Sequence, residues 1–484
     1  MDPFDTATDW QRLDPRMLLV HPVRDVVRFL PALVGILVFG RSADGGWWGL
    51  IGVGIPIALG LLRYLTTSYR INAGRIEVRH GFVNKRVLSA PLDRVRTVDV
   101  TASPFHRVLG LVTLRIGTGQ SDAKGDDRLA LDGLAAPAAT ALRERLLHLT
   151  PTPTSESEPP PVREVLRLDP RWVRFAPLTS TGIVIAGAAL GVLFQSFHTL
   201  ELVPSIDLSR LARLGVALLL VLAFVGVLLT ICLLAVIGYV LTNFGFLLTH
   251  TGAEGSWHMR RGLLTTRETT LDDARVSGVS IGEPLSLRLA HGARLAAIVT
   301  GLDRRQQGAG SVLVPPAPRD VVDRVAVDVL GVAGPVTTPL LTHGPRAHRR
   351  RWTRAMLPAG LVAVAAVVAA YEESWWFLVL AFGALAFGAV LAHDRWRSLG
   401  HALVDGYLVA RSGSLDRRRE ALQTRSVIGW NFRATWFQRR AGLTDLVATT
   451  AGGRQHVPVL DLDEASATAL ASSATPGLLD QFLA

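Results

Sequence analysis

The sequence predicts a membrane protein of α+β class, with three transmembrane helical hairpins (six helices) each followed by a cytoplasmic β-rich domain with a C-terminal capping helix. Apolar stretches occur in pairs; the soluble stretches after them carry glycines and arginines at matching offsets; and strand-like alternation there ends in an amphipathic helix. Of the 484 residues, 49% are hydrophobic and 19% charged, against about 25% charged in soluble proteins. The apolar content excludes a disordered chain, and a single cysteine, Cys232, excludes a disulfide framework.

The six apolar stretches run in order. The first pair is 29–40 and 47–62, the second 175–197 and 214–241, the third 356–371 and 375–392. A spanning helix needs about 20 apolar residues. The third, fourth and sixth stretches meet this and the fifth is acceptable. The first two are short: the first needs Arg28 to snorkel, and a re-entrant hairpin is the alternative for that pair. Four arginines precede the first stretch and no small-residue cleavage site follows it, so it reads as an anchor rather than a signal peptide.

Charge orients the pairs. The net charge is +11, and lysine occurs only at Lys85 and Lys124, so the basic side is almost wholly arginine. That skew is first a mark of a GC-rich genome, although a basic excess also fits nucleic acid or an anionic membrane surface. Position decides between them. The turns within pairs, 41–46, 198–210 and 372–374, are poor in positive charge, whereas Arg24, Arg28, Arg63, Arg70, Arg171, Arg174, Arg395, Arg397 and the run 348–354 (HRRRWTR) flank the other ends. The turns then face outward and both termini are cytoplasmic. Trp47-Trp48 and Trp375-Trp376 fall at the outer interface.

The soluble stretches 80–119, 261–301 and 412–453 read as three copies of one unit. Gly81 precedes Gly110 by 29 residues, Gly413 precedes Gly442 by 29, and Gly262 precedes Gly292 by 30. Arg86, Arg267 and Arg418 each stand five residues after the first glycine; Phe105 and Phe437 stand 24 after it, Arg107 and Arg439 stand 26. Alternation predicts strands at 75–81, 94–101 and 111–117, and helices close the copies at 135–149, 319–330 and 463–473. The expected organisation is an N-terminal segment and helix pair at 1–65, a domain at 66–149, a Pro-rich linker at 150–161, helix pair two at 162–241, a domain at 242–331, a basic segment and helix pair three at 332–395, and a domain at 396–484.

Paired membrane helices, then Gly81, Arg86, Leu92, Arg94, Val95, Val98, Phe105, Arg107, Gly110 and Leu111, with Gly413, Arg418, Arg425, Val427, Phe437, Arg439, Gly442 and Leu443 in the third copy, resemble the bacterial pleckstrin-homology-like (bacterial PH domain) membrane proteins. Three units in one chain resemble the YdbT type. The second copy departs most, with Leu-Ala-His-Gly at 289–292. The resemblance implies PH-like β-barrels or sandwiches at the cytoplasmic face, and for some relatives a role in envelope stress or antimicrobial resistance.

Each first glycine is read as a turn requiring positive φ. Around these turns lie Arg79, Lys85 and Arg86; Arg260, Arg261 and Arg267; and Arg417, Arg418 and Arg419. The resemblance to lipid-binding PH hairpins makes these nine the candidate lipid or partner contacts. The alternative is a solvated sheet edge charged against aggregation. Trp430, Phe432, Trp436 and Phe437 are candidates for the same surface, two of them expected in the core.

Catalysis has no support. There is no HExxH, no G-x-S-x-G and no phosphate-cradling GxxxxGK[ST], and the carboxylates offer no nameable pair. No cofactor or metal is expected. The centres of the six stretches hold no ionisable residue, which argues against a pump; small residues such as Gly383, Ala386 and Gly388 indicate close helix packing instead. The expected function is an integral membrane scaffold or adaptor whose partners are membrane lipids and a protein, with no nucleic acid. The alternative is a lipid-handling or transport-associated component.

Overall fold

The computed structural model describes residues 10–12, 14–17, 68–72, 75–80, 86–91, 97–117, 129–147, 162–179, 191, 216–252, 255–300, 311–372 and 374–478. The first helix pair, the linker 150–161 and most of the third apolar stretch lie outside these residues, as do Gly81 and Lys85. The architecture is mixed helix and sheet. The chain forms two compact units: Met1–Arg167 with Phe244–Asp273 and Gly301–Asp303, and Leu168–Asn243 with Ala274–Thr300 and Arg304–Ala484. The boundary passes through the stretch 242–331 that the sequence presents as a single domain.

In the first unit, β1 (Gln11–Arg12), β2 (Ser68–Asn72), β3 (Arg75–His80) and β4 (Arg86–Pro91) form an antiparallel sheet in that order. After them come β5 (Thr97–Ala102), helix α1 (Pro104–Val108), β6 (Leu111–Gly117), β7 (Leu129–Ala135) and helix α2 (Ala136–Leu147). Alternation in β3 sends Ile76 and Val78 inward, where they meet Leu114, Leu131 and Leu142 in one core. The strands β8 (Val162–Arg167), β9 (Leu247–Thr251), β10 (Ser256–Arg261) and β11 (Thr266–Asp272) extend the second layer into a seven-stranded sheet, β7-β6-β5-β11-β10-β9-β8. Its seam is the antiparallel pair β5–β11, which covers two edges that would otherwise be open.

In the second unit a 3₁₀ helix at Pro170–Leu178 packs beside the long apolar helix α3 (Val216–Asn243). There follow β12 (Val276–Pro284), α4 (Leu285–Leu289), β13 (Gly292–Val299), β14 (Val312–Pro318), α5 (Arg319–Leu330) and the short α6 (Gly334–Thr337). Two long helices, α7 (Gly344–Glu372) and α8 (Phe377–Arg397), lead to β15 (Gly400–Val404), β16 (Tyr407–Ser412) and β17 (Asp416–Gln423). The sheet order is β14-β13-β12-β17-β16-β15, so β12–β17 is a second seam. Finally β18 (Gly429–Arg433), α9 (Trp436–Ala441), β19 (Leu443–Thr449), β20 (His456–Asp463) and α10 (Glu464–Ala474) close a core around Leu408, Leu422, Leu446, Val459 and Leu470.

The order strand, short helix, strand, strand, helix thus occurs three times among the described residues. The seams share a register. Arg267 of β11 lies opposite Thr101 and Arg418 of β17 lies opposite Gly282, and Thr101 and Gly282 each stand 20 residues after a first glycine, Gly81 and Gly262. The closing helices fall where the periodicity places them; α5 buries Val322, Val325, Ala326 and Leu330 along one stripe.

The turn glycines behave as expected where they are described: φ is +111° at Gly262 and +102° at Gly413. At Gly413 a Cβ would lie 2.2 Å from the Asp416 carbonyl oxygen, and at Gly262 2.0 Å from that of Thr265. The second glycine register needs one correction. Gly110 and Gly442 are left-handed (φ +68° and +65°), but in the stretch after Gly262 the left-handed residue is His291 (φ +56°), not Gly292. The offset is therefore 29 in all three, and the extra residue belongs to the glycine that opens β13. We expect Gly413→Ala to lower stability by about 1–3 kcal/mol through backbone strain, and His291→Gly to leave it unchanged or raise it by about 1 kcal/mol. Denaturation midpoints of the two variants check both signs.

The third apolar pair appears as expected, as α7 and α8, and these are two helices long and apolar enough to cross a membrane. Helix α3 adds the apolar stretch Leu228–Asn243. Large apolar side chains such as Leu357, Leu361, Val364, Phe382 and Val390 are exposed along α7 and α8. The two helices meet through small residues: Ala363, Ala366 and Ala381 form one cluster, and a Cβ on Gly388 would lie 2.6 Å from that of Ala359. The contact stripe is Ala381–Gly388–Ala392, whereas Ala386 is exposed and Gly383 has nothing within 4 Å of a Cβ, which corrects two of the three positions expected from sequence.

Candidate functional site

The polar ends of α7 and α8 are held by ion pairs. Arg350 and Arg351, from the run 348–354, both reach the carboxylate of Asp461 in β20; Arg351 Nη2 is 2.5 Å from Oδ2. Asp461 has no solvent exposure. Gln438 Nε2 donates to Asp461 Oδ1 (3.0 Å) and to Asp445 Oδ1 (2.7 Å), and the Asp461 N–H donates to Asp445 (2.8 Å). The run that the sequence offers as a positive-inside flank also places two of its arginines on a buried carboxylate.

At the far end of α8, Asp394 accepts from Arg288 of α4 (3.0 Å) and Arg417 of β17 (2.9 Å). Burial and the neighbouring Arg288 pull the Arg417 guanidinium below its usual value, which Asp394 opposes. Both helices of the pair are thus tied to the sheets by carboxylates that the sequence alone did not single out. Asp394 carries a local signal, an acid among Arg395 and Arg397 at a helix end. Asp461, one of two acids in Leu460-Asp461-Leu462-Asp463, carries none.

Two histidines meet where the chain enters α7. His343 Nδ1 is 2.6 Å from the Leu460 carbonyl oxygen, and His401 Nδ1 is 3.0 Å from His343 Nε2. The carbonyl can only accept, so this network assigns the proton of neutral His343 to Nδ1, leaving Nε2 to accept from His401. Burial lowers both, and at His401, with the neighbouring His343 acting in the same direction, the value falls to about 4.

The nine candidate contacts are divided between the two units, and those described differ in their partners. Arg79 lies near the Trp10 ring, its guanidinium 5.8 Å from the centroid. Arg86 opens β4, and Lys85 is outside the described residues. Arg260 faces Glu268 at 3.5 Å, and Arg261 pairs across the hairpin with Arg267. In the third set, Arg417 is bound to Asp394 and Arg418 to Asp416. Arg419 is buried, donating to the carbonyls of Pro335 and Thr338 (both 2.9 Å). Burial, with Arg411 and Arg319 nearby, pushes its pKa down to about 10. Arg419 therefore holds the loop around α6 rather than facing solvent.

The four aromatics also separate. Trp430 packs on the core and its Nε1–H donates to Thr475 Oγ1 (2.8 Å). Phe432, Trp436 and Phe437 are exposed, so one of the four serves the core where two were expected.

Two cavities carry arginine clusters. One, of about 320 Å³ in the second unit, is lined by Arg294, Arg418 and Arg454, which pair with Asp416 and Glu420 and so are largely neutralised within the protein. The other, of about 350 Å³ in the first unit, is lined by Arg107, Arg167, Arg260 and Arg261 with Glu164, and Arg260 there faces Glu268. No group of metal-ligating side chains occurs among the described residues.

The described residues are thus small antiparallel sheets closed by helices, with a pair of apolar helices ion-paired at its polar ends to the sheets of the second unit. The family comparison is specific: the bacterial PH domain matches residues 25–150 and 357–474, together half of the chain, and the chain belongs to that family. No curated protein and no solved structure matches the chain.

Proposed function

We propose that the chain is an integral membrane scaffold or adaptor of the YdbT type, with three PH-like repeats carried by six transmembrane helices in the cytoplasmic membrane. Both termini lie in the cytoplasm, and the repeats bind a protein partner or inner-leaflet lipid in envelope stress or antimicrobial resistance. The observation that carries this reading is the exposed apolar pair α7–α8, long enough to span and ion-paired at its polar ends to PH-family sheets. The matching seam registers and the three left-handed residues at offset 29 support the repeats. An interaction module needs exposed recognition surface, and Phe432, Trp436 and Phe437 beside Arg433, Arg439 and Arg440 supply an aromatic and cationic one.

Affinity purification of the full chain from detergent-solubilised membranes tests the adaptor reading. A protein recovered at a fixed ratio, and lost on Trp436→Ala with Phe437→Ala, is the expected result. Phospholipid recovered without protein favours the alternative, a lipid-handling or transport-associated component. Recovery of neither overturns it.

A further inference from the structure

Two strands have an open side where their counterparts elsewhere in the chain are paired. The strand order repeats in three groups, in which β4, β11 and β17 correspond, as do β5, β12 and β18. The seams join one kind to the other across groups, β5 to β11 and β12 to β17. Among the described residues, β4 and β18 each end a sheet, so one strand of each kind has a side without a neighbour. The remaining edges do not differ between groups in this way. β7, β14 and β20 all end their sheets, and β2, β9 and β15 are all flanked, by β1, by β8 and by the bridge Leu341–His401.

Both seams obey one register. The residue 6 places after a turn glycine faces the residue 19 places after the preceding turn glycine: Glu268 faces Val100, and Arg419 faces Ile281. Continued to the open strands, the same rule sets Val87 of β4 opposite Phe432 of β18, in a ladder of five pairs running from Arg86–Arg433 to Ala90–Gly429. The β5–β11 ladder has the same five pairs. Val87 is 52% exposed and Phe432 42%, whereas Ile281, which holds the place of Phe432 in a strand paired on both sides, is buried. An edge strand that exposes apolar side chains is a template for another strand, and an aromatic residue opposite a β-branched one is a favourable cross-strand pair.

We propose that β18 of one copy of the chain pairs antiparallel with β4 of a second copy, continuing the internal seam from chain to chain. A second copy is the occupant because the chain itself carries both halves of the junction, in the register that its two seams use. The contact joins two different surfaces, so it closes into a ring or runs on from copy to copy. Arg86 and Arg433 fall opposite each other at one end of the ladder, a like-charge pair that opposes the contact, and added salt should strengthen it by screening them. The inference rests on the repeat part of the reading above and not on the adaptor role. It assigns Phe432 to the contact between copies and leaves Trp436 and Phe437 to a partner.

The test crosslinks full chains in membranes with a short bis-maleimide, in a Cys232→Ser background. Two differently tagged chains are co-expressed, one carrying Val87→Cys and the other Phe432→Cys. The expected product carries both tags, increases with added salt, and persists when Trp436→Ala and Phe437→Ala are added to the second chain. Loss of the product in that variant would assign the contact to the partner surface and overturn the strand pairing. Val162→Cys, exposed on β8, replaces Val87→Cys as a control for collision, and an equal yield from it would also overturn the pairing. A crosslink formed only within one chain that carries both Val87→Cys and Phe432→Cys, or capture of a different protein at position 432, rules out the second copy. Absence of any crosslink at 432 does the same. A single chain with Val100→Cys and Glu268→Cys holds the same register positions in the internal seam and should crosslink within itself. Its failure would sink the repeat register rather than the contact between copies, which separates the two.

Discussion

Asp461→Asn is expected to destabilise the second unit by about 3 kcal/mol or more, the scale for removing one partner of a buried ion pair. The wild-type carboxylate is fully buried and answers two guanidiniums that are themselves about 13% and 12% exposed. The asparagine keeps the side-chain volume, tolerates the left-handed backbone at this position (φ +58°) and leaves a carbonyl for Gln438. What it removes is the charge both guanidiniums contact, so Arg350 and Arg351 are left buried together with Asp445 as the more distant carboxylate. Asp461→Ala adds backbone strain to that loss and should cost more. Chemical denaturation of the detergent-solubilised chain, followed by tryptophan fluorescence, reads the difference; a change below about 0.5 kcal/mol, the scale of an ordinary surface substitution, would show that the arginines are solvated.

Acid should destabilise the same region through His401 and His343. In the unfolded chain an imidazole takes its proton near pH 6.5, whereas folded His401 holds off until about pH 4 and His343 is shifted in the same direction. Between those values the unfolded chain binds more protons, so stability is fully present above pH 6.5 and is lost as pH falls toward 4. For His401 alone the loss reaches about 3 kcal/mol. The groups facing the pair differ in sign: the Leu460 carbonyl, Asp461 and Asp463 favour protonation of His343 and Arg351 opposes it, but burial, the largest cause, outweighs them. A proton added to Nε2 of His343 also turns the His401–His343 hydrogen bond into a contact of two donors. His401→Gln should flatten the stability profile between pH 6.5 and 4. An unchanged slope in that variant would remove His401 as the cause.

Much of this architecture was legible because it is periodic. The strands at 75–80 and 111–117 and the helix Arg319–Leu330 fall where alternation and 3.6-residue spacing put them, since each must bury one face. The turn at Gly413 was legible because only glycine avoids the Asp416 carbonyl there. Where conformation and residue type part company, the sequence misleads: His291 takes the left-handed place that glycine holds elsewhere, and the eye moves to Gly292. Pairings between distant segments were not legible at all. Nothing local marks β5 for β11 or β12 for β17, because an edge strand that finds a partner looks like one that does not.

The candidate site was less legible than the fold for a related reason. A surface arginine and a buried one have the same letter, and Arg417, Arg418 and Arg419 differ only in what the fold brings to them: Asp394, Asp416 and two backbone carbonyls. Burial of Trp430 and exposure of Phe437 likewise depend on α9 and α10, not on spacing within 430–437.

The central claim, a membrane-spanning hairpin with its sheets on the cytoplasmic side, is tested most directly by single-cysteine labelling in intact cells, in a Cys232→Ser background. Ser374→Cys lies in the turn between α7 and α8, and Leu415→Cys on an exposed position of the turn before β17. An impermeant maleimide should label position 374 from outside, as it should Ser42→Cys in the turn 41–46, and position 415 only after the membrane is opened. Labelling of 415 in intact cells, or of 374 only after opening, would contradict the account.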